Sequence, residues 1–194
     1  MNTPLVLASR SASRQALLKA AGVIFTADPA DLDEAALMTG TDARAIASTL
    51  AQEKALAVSR RHPGALVLGG DSVIELHGRL LSKCADLQEA RALLAVLSGR
   101  SHLLVSAAAL ARDGALLWTH ASPVTLTMRE LSPQFLDDYL ACEGSAILSC
   151  VGCYHFEGRG AQLFDRVEGD YFAILGLPLL EVLAALRKES ALAC

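Results

Sequence analysis

The sequence predicts an α/β fold built on one mixed sheet, and two observations carry that expectation. Segments with helical apolar spacing alternate with short apolar runs, as in chains whose helices flank a sheet. Two dipeptides of hairpin type, His77-Gly78 and Asp113-Gly114, join runs that must then pair antiparallel. The 194 residues, 53% of them hydrophobic, are enough to bury a core without disulfides or metals. No repeat, low-complexity tract or linker divides the chain, so residues 1–194 read as a single domain with room for two lobes.

The elements follow in order. Leu5-Val-Leu-Ala8 is a short apolar run, read as a buried strand. Ser9-Arg-Ser-Ala-Ser-Arg14 leads into a helix carried by Ala16, Leu17, Leu18, Ala20 and Ala21 and closed by Gly22. A second strand near residues 23–27 precedes an acidic loop at 28–34. Thr41 or Asp42 caps a long helix running to about Arg61, which His62-Pro63-Gly64 ends. Residues 66–76 form a strand that turns at His77-Gly78 into 79–81. Asp86 with Glu89 resembles a capping box, for a helix whose Leu87, Ala90, Leu93, Leu94 and Leu97 share a face up to Ser98-Gly99. Residues 102–111 and 115–128 are the strands of the second hairpin, and Ser132-Pro133 starts a helix to about Cys142. Beyond a Gly-rich stretch, apolar runs predict strands at 162–167 and 172–174. Pro178 then opens a last helix using Leu180, Leu183, Ala184 and Arg187.

Charge and hydropathy narrow the function classes. A net charge of −4, from 17 basic and 21 acidic residues, argues against general binding to a nucleic-acid backbone. One phosphate tail needs only a local cluster of cations, so a nucleotide remains open. Apolar stretches such as Leu103–Ala111 fall short of the roughly 20 residues that span a bilayer. The first residues lack the charge order of a signal peptide. These features predict a soluble cytoplasmic protein with no nucleic-acid or membrane partner. Cysteines at 84, 142, 150, 153 and 194 are expected as reduced thiols. Cys150-Val-Gly-Cys153 matches a CxxC pair, but a zinc site wants four ligands and only Cys142 is another nearby thiol. His62, His77, His102 and His120 are expected at the surface.

Three places break the local pattern, and such conflicts tend to mark function. Asp71 stands inside the strand Val67–Ile74, where a carboxylate is costly unless cations or a metal meet it; Gly69 and Gly70 leave the backbone open to another molecule. Lys54 extends the apolar stripe of Ile46 and Leu50, so its cation points inward. Ser9 to Arg14 place hydroxyls, free amides and the cations Arg10 and Arg14 at a helix N-terminus, where anions are favoured. Blander readings stand beside each: a structural Asp held by amides, a snorkelling lysine, and ordinary N-capping by Ser11 or Ser13. Lys83 returns through the hairpin toward the Asp71 end of the sheet, and the loop carboxylates Asp33 and Glu34 complete the set. Cations of this kind hold a polyphosphate, while carboxylates hold a divalent metal and activate water.

Along nearly its whole length the chain resembles the Maf family of nucleotide pyrophosphatases. Leu7-Ala-Ser-Arg-Ser-Ala-Ser-Arg14 with Leu17-Leu18 is similar to the family's LAS-x-SP-x-R…LL opening. Leu32-Asp-Glu34 resembles its acidic loop, Leu50-Ala-Gln-Glu-Lys-Ala55 its LA-x-x-KA helix, and Leu68-Gly-Gly-Asp-Ser-Val73 its GAD-T/Q-V strand. Gly78–Lys83, Leu97–Arg100 and Gly169–Pro178 continue the series. The resemblance implies an elongated mixed sheet flanked by helices, with two lobes and a central cleft, and often a homodimer. It implies hydrolysis of a nucleoside triphosphate to the monophosphate and pyrophosphate with Mg²⁺ or Mn²⁺. Asp71 then takes the general-base position and Glu34 lies near the metal, which Asp71 shares. Lys54, Lys83 and Arg14 lie on the phosphates, with Ser9, Ser13, Ser72 and Glu157 in the substrate site. Tyr154-His-Phe-Glu-Gly158 carries Glu157 where the branch for thymidine and uridine triphosphates has Gln, as in the branch for 7-methylguanosine triphosphate. Ser13 and Ser72 differ from that second branch, which has Trp and Gln there. A carboxylate accepts hydrogen bonds from a guanine N1–H and 2-amino group, and the Tyr154 and Phe156 rings are expected to flank the base. The family is also linked to arrest of septum formation, so a non-catalytic regulator acting through protein partners is the competing reading.

Overall fold

The computed structural model describes residues 3–38 and 40–192; Cys194 lies outside the described residues. Its strands are β1 (Leu5–Leu7), β2 (Thr26–Ala27), β3 (Leu66–Leu76), β4 (Arg79–Leu81), β5 (Ser101–Arg112), β6 (Ala115–Met128) and β7 (Phe164–Glu168). Its helices are α1 (Ala12–Ala20), α2 (Glu34–Leu37), α3 (Ala43–Ser59), α4 (Leu87–Leu97), α5 (Pro133–Glu143), α6 (Tyr171–Ile174) and α7 (Leu179–Lys188). All seven strands join one mixed sheet in the order β2-β1-β3-β5-β6-β7, with β4 beside β3. His77 and Asp113, each followed by glycine, adopt the left-handed backbone that two-residue hairpins require.

β3 positions the site. One edge pairs with β5 along residues 67–75. The other edge takes β1 at residues 66–68 and β4 at 74–76, which leaves 69–73 without a strand partner on that side. Alternation then divides the strand between two faces. Gly69, Asp71 and Val73 face α3, which lies against Val105, Ala107, Ala109 and Ala111 of β5. A Cβ at Gly69 would meet the Ala51 carbonyl at 2.1 Å, so this glycine is needed for the close approach of α3. A Cβ at Gly70 would meet side chains only, Leu177 at 2.9 Å and Arg14 at 3.3 Å. The two glycines therefore admit the chain's own elements rather than another molecule.

The second face carries two apolar clusters. At one end Leu66, Leu68 and Leu110 pack with Leu18 of α1 and Val182 and Leu186 of α7. At the other, Ile74, Leu104 and Leu126 pack with Leu94 and Leu97 of α4 and Leu136 of α5. Between them the sheet presents Gly70, Ser72 and Ser106, a polar band that separates two lobes.

Four expectations change. Residues 172–174 are helical, because Asp170 caps the segment by accepting from the Phe172 and Ala173 amides. The strand expected at 23–27 pairs with β1 only at Thr26–Ala27. Helix α7 buries Leu179, Val182, Ala185 and Leu186, while Leu180 is 61% exposed. His102 is buried, with Nε2 3.0 Å from the Tyr154 hydroxyl. That burial lowers its pKa to about 4.

Candidate active site

Helix α3 brings the first cation in. Asp42 caps its start by accepting from the Arg44 and Ala45 amides, and Ile46, Leu50 and Lys54 then fall on one buried stripe. Lys54 is only 8% exposed, and its Nζ lies 2.5 Å from Asp71 and 2.7 Å from Glu34. A snorkelling lysine would put its ammonium in water; this one is held between two carboxylates. Glu34 reaches that point because Asp33 caps α2 through the Ala36 amide, so Asp33 acts as a cap. Burial alone would raise the Glu34 pKa. The Lys54 hydrogen bond and the charges of Lys54, Lys83 and Arg14 outweigh it and hold the carboxyl below its usual range.

The opposite face of β3 holds the second cation. Ser11 caps α1 through the Arg14 amide, which turns Arg14 toward the sheet. Its guanidinium donates from Nε to the Gly176 carbonyl at 2.8 Å, from one Nη to Ser9 Oγ at 3.3 Å and from the other to Ser72 Oγ at 3.0 Å. Burial lowers the Arg14 pKa, with Asp71 and Glu34 working against it, and the group stays charged at any physiological pH. Asp71 and Ser72 are thus adjacent in sequence but serve opposite faces, meeting at the unpaired edge 69–73. The Lys83 ammonium forms no ion pair among the described residues, yet its charge acts on both Glu34 and Cys150. It is a free cation at the rim.

The remaining residues lie across the gap between the lobes. Ser13 donates to Glu157 Oε1 at 3.3 Å, joining the first turn of α1 to the turn at 156–158. Tyr154 does not flank this position, because it is buried against Phe164 with its hydroxyl on His102. Phe156 is half-buried against Phe164 and Tyr171, and Tyr171 is 49% exposed. Sequence reasoning passed over Ser106, the Gly176 carbonyl and the Ala173 carbonyl. The signal for Ser106 was present: it is the one hydroxyl in the apolar run Leu103–Ala111.

Glu34 and Asp71 converge on the Lys54 ammonium, which occupies the point between them, so Mg²⁺ or Mn²⁺ would take the carboxylate oxygens that Lys54 leaves free. Among the described residues no group of three or more His, Cys, Asp or Glu side chains converges, at the CxxC segment or elsewhere. Two carboxylates fit a magnesium ion that draws its other ligands from water and substrate phosphates.

The description "Maf-like protein" matches residues 4–189. A 7-methyl-GTP pyrophosphatase of Mesorhizobium japonicum is 47% identical over 197 residues, covering 99% of each chain. A nucleoside triphosphate pyrophosphatase of Caulobacter vibrioides is 47% identical over 195 residues, covering 98% of each. A second protein of that name, from Rhodopseudomonas palustris, is 48% identical over 193 residues, covering 98% of this chain and 96% of its own. With the motif residues gathered at one edge of β3 and the match running through both lobes, the chain belongs to the Maf-like protein family.

Proposed function

We infer that this protein is a nucleoside triphosphate pyrophosphatase, cutting the α–β phosphoanhydride to give a nucleoside monophosphate and pyrophosphate. The observation that carries the reading is Asp71, a carboxylate inside a strand, held by a buried lysine at an edge where Arg14 and Lys83 add cations. Relatives that bear this activity in their names support it. Asp71 accepts a proton from water as the water oxygen bonds to the α-phosphorus. The bond from that phosphorus to the bridging oxygen breaks, and the β- and γ-phosphates leave together. Arg14 holds the phosphates in register, its planar fork matching paired phosphate oxygens. Lys54 keeps Asp71 aimed at the edge, and Lys83 meets the negative tail. Glu34 and Asp71 would hold the divalent cation, which supplies charge neutralisation on the phosphates when bound.

In this reading Glu157 reads the base. One of its oxygens takes the Ser13 proton, and the other is left for a guanine-type donor. This favours 7-methyl-GTP or a related purine nucleotide among the modified substrates that a cytoplasmic house-cleaning enzyme would clear. The same reading includes a homodimer, which sedimentation velocity tests. A purely regulatory protein would give no reason to hold Lys54 against two carboxylates. The deciding experiment is product identification over canonical and modified triphosphates with Mg²⁺. Monophosphate and pyrophosphate in equal amounts are expected; diphosphate with free phosphate, or no turnover on any substrate, would overturn the reading.

A further inference from the structure

Ser106 lies on β5 in the band between the two apolar clusters, opposite Ser72 in the register of β3 with β5. It has no solvent exposure, so every hydrogen bond of its hydroxyl is made with protein. Its Oγ is 2.6 Å from the Ala173 carbonyl oxygen and 2.8 Å from Ser72 Oγ. A carbonyl can only accept, so the single Ser106 proton goes to Ala173. Ser106 must then accept from Ser72, whose only proton is spent in doing so. What Ser72 has left is lone pairs, and Arg14 donates to them at 3.0 Å.

The second branch returns to the same carbonyl. Arg14 Nε donates to the Gly176 carbonyl, and the Gly176 amide donates to the Ala173 carbonyl at 3.0 Å. The two branches from Arg14 therefore close into a ring, and Ser106 joins the Ser72 arm to the Ala173–Gly176 arm. Three of the five N–H donors of a guanidinium are taken by Gly176, Ser9 and Ser72, leaving two for a ligand. Ser9 and Ser72 also end with opposite characters. Ser9 Oγ accepts from the Ser11 amide and from Arg14, which frees its own proton for a phosphate oxygen. Ser72 has no proton to offer.

We propose that Ser106 is a positioning residue for the reaction: through Ser72 and the Ala173 carbonyl it fixes the plane of the Arg14 guanidinium, and it makes Ser72 an acceptor rather than a substrate donor. Removing the hydroxyl frees the Ser72 proton to turn toward Arg14, a donor facing a donor, and slackens both arms. The consequence falls on substrate binding, since Arg14 holds the phosphates in the reading above, on which this inference rests.

The test is Ser106→Ala, with Ser106→Thr as the variant that keeps a hydroxyl. Ser106→Ala should raise KM for the triphosphate about tenfold with kcat within about twofold, the pattern of lost uniform binding. Ser106→Thr should return KM to within about threefold of wild type. In a Ser72→Ala background, Ser106→Ala should raise KM by no more than about threefold, because only the arm through the Ala173 carbonyl is then left for it to slacken. The Arg14 Nε–H resonance in a ¹⁵N-arginine NMR spectrum supplies a readout without substrate. It should be protected from exchange in the wild type and exchange at least about tenfold faster in Ser106→Ala. Unchanged exchange, or a Ser106→Ala loss of equal size in the Ser72→Ala background, would overturn the proposal. Faster exchange with an unchanged KM would uphold the positioning of Arg14 and refute its role on the phosphates.

Discussion

Asp71 and Ser72 are neighbours on β3, yet the two sides of the strand are built from different chemistry. The Asp71 side is made of full charges: one buried ammonium within 2.7 Å of two carboxylates. The Ser72 side places one cation among neutral acceptors, namely two hydroxyls and a carbonyl. Removing one member of a buried ion pair strands a charge, whereas removing a hydroxyl costs about one hydrogen bond. The charged side is therefore suited to proton transfer and metal binding, where charge must be held ready. On the neutral side the cation keeps its charge for the substrate, because nothing nearby neutralises it directly.

The largest way to break the charged side is to withdraw the divalent cation proposed for it. Chelation with EDTA should abolish pyrophosphate release, and excess Mg²⁺ should restore it, with Cys150→Ser/Cys153→Ser behaving as the wild type. Activity that survives chelation would refute the roles given to Glu34 and Asp71. The two sides should also differ in stability. Lys54→Met should cost about 3 kcal/mol in denaturant unfolding, because Asp71 is left buried without its partner. Ser72→Ala should cost about 1 kcal/mol. Equal costs would erase the distinction between the faces.

Much of this arrangement was legible in the sequence, and the failures have physical causes. β3, α3, α4 and both hairpins announced themselves because long periodic segments and caps such as Asp42 and Asp86 are local signals. Lys54 and Asp71 were legible because each is a charge at an apolar position. Residues 172–174 were not: a run of a few apolar residues fits a strand or a buried helix equally, and the Asp170 cap decides it. On α7 the positions 180, 183, 184 and 187 have helical spacing but form the wrong stripe. Tyr154 and His102 lie 52 residues apart and bury one another, a pairing that no local pattern contains. The Arg14 ring is equally non-local, drawing on α1, β3, β5 and the loop after α6.

A smaller effect sharpens the comparison at the rim. Glu157→Gln should lower kcat/KM for 7-methyl-GTP and GTP about tenfold more than for UTP and dTTP, since a charged acceptor is lost from a paired contact. An equal fractional loss on all four substrates would leave Glu157 no part in base choice. The smallest effect tests the core of the second lobe. His102 binds its proton at about pH 4 when folded, against about 6.5 when unfolded, so only the unfolded state gains a proton as pH falls from 7 toward 4. The His102 contribution should be flat above neutrality and fall by about 0.7 kcal/mol between pH 7 and pH 6. A His102→Gln variant should lack that component, and an identical pH profile in the variant would place the imidazole in water.

The division of labour between the faces is tested most directly by kcat and KM measured side by side for Asp71→Asn and Arg14→Lys on one nucleoside triphosphate with saturating Mg²⁺. Asp71→Asn should lower kcat about a hundredfold or more with KM within about threefold, as expected when a general base is lost. Arg14→Lys should raise KM about ten- to thirtyfold with kcat far less affected, because a point charge cannot reproduce the fork that Ser9, Ser72 and Gly176 orient. The same parameter moving by the same factor in both variants would contradict it.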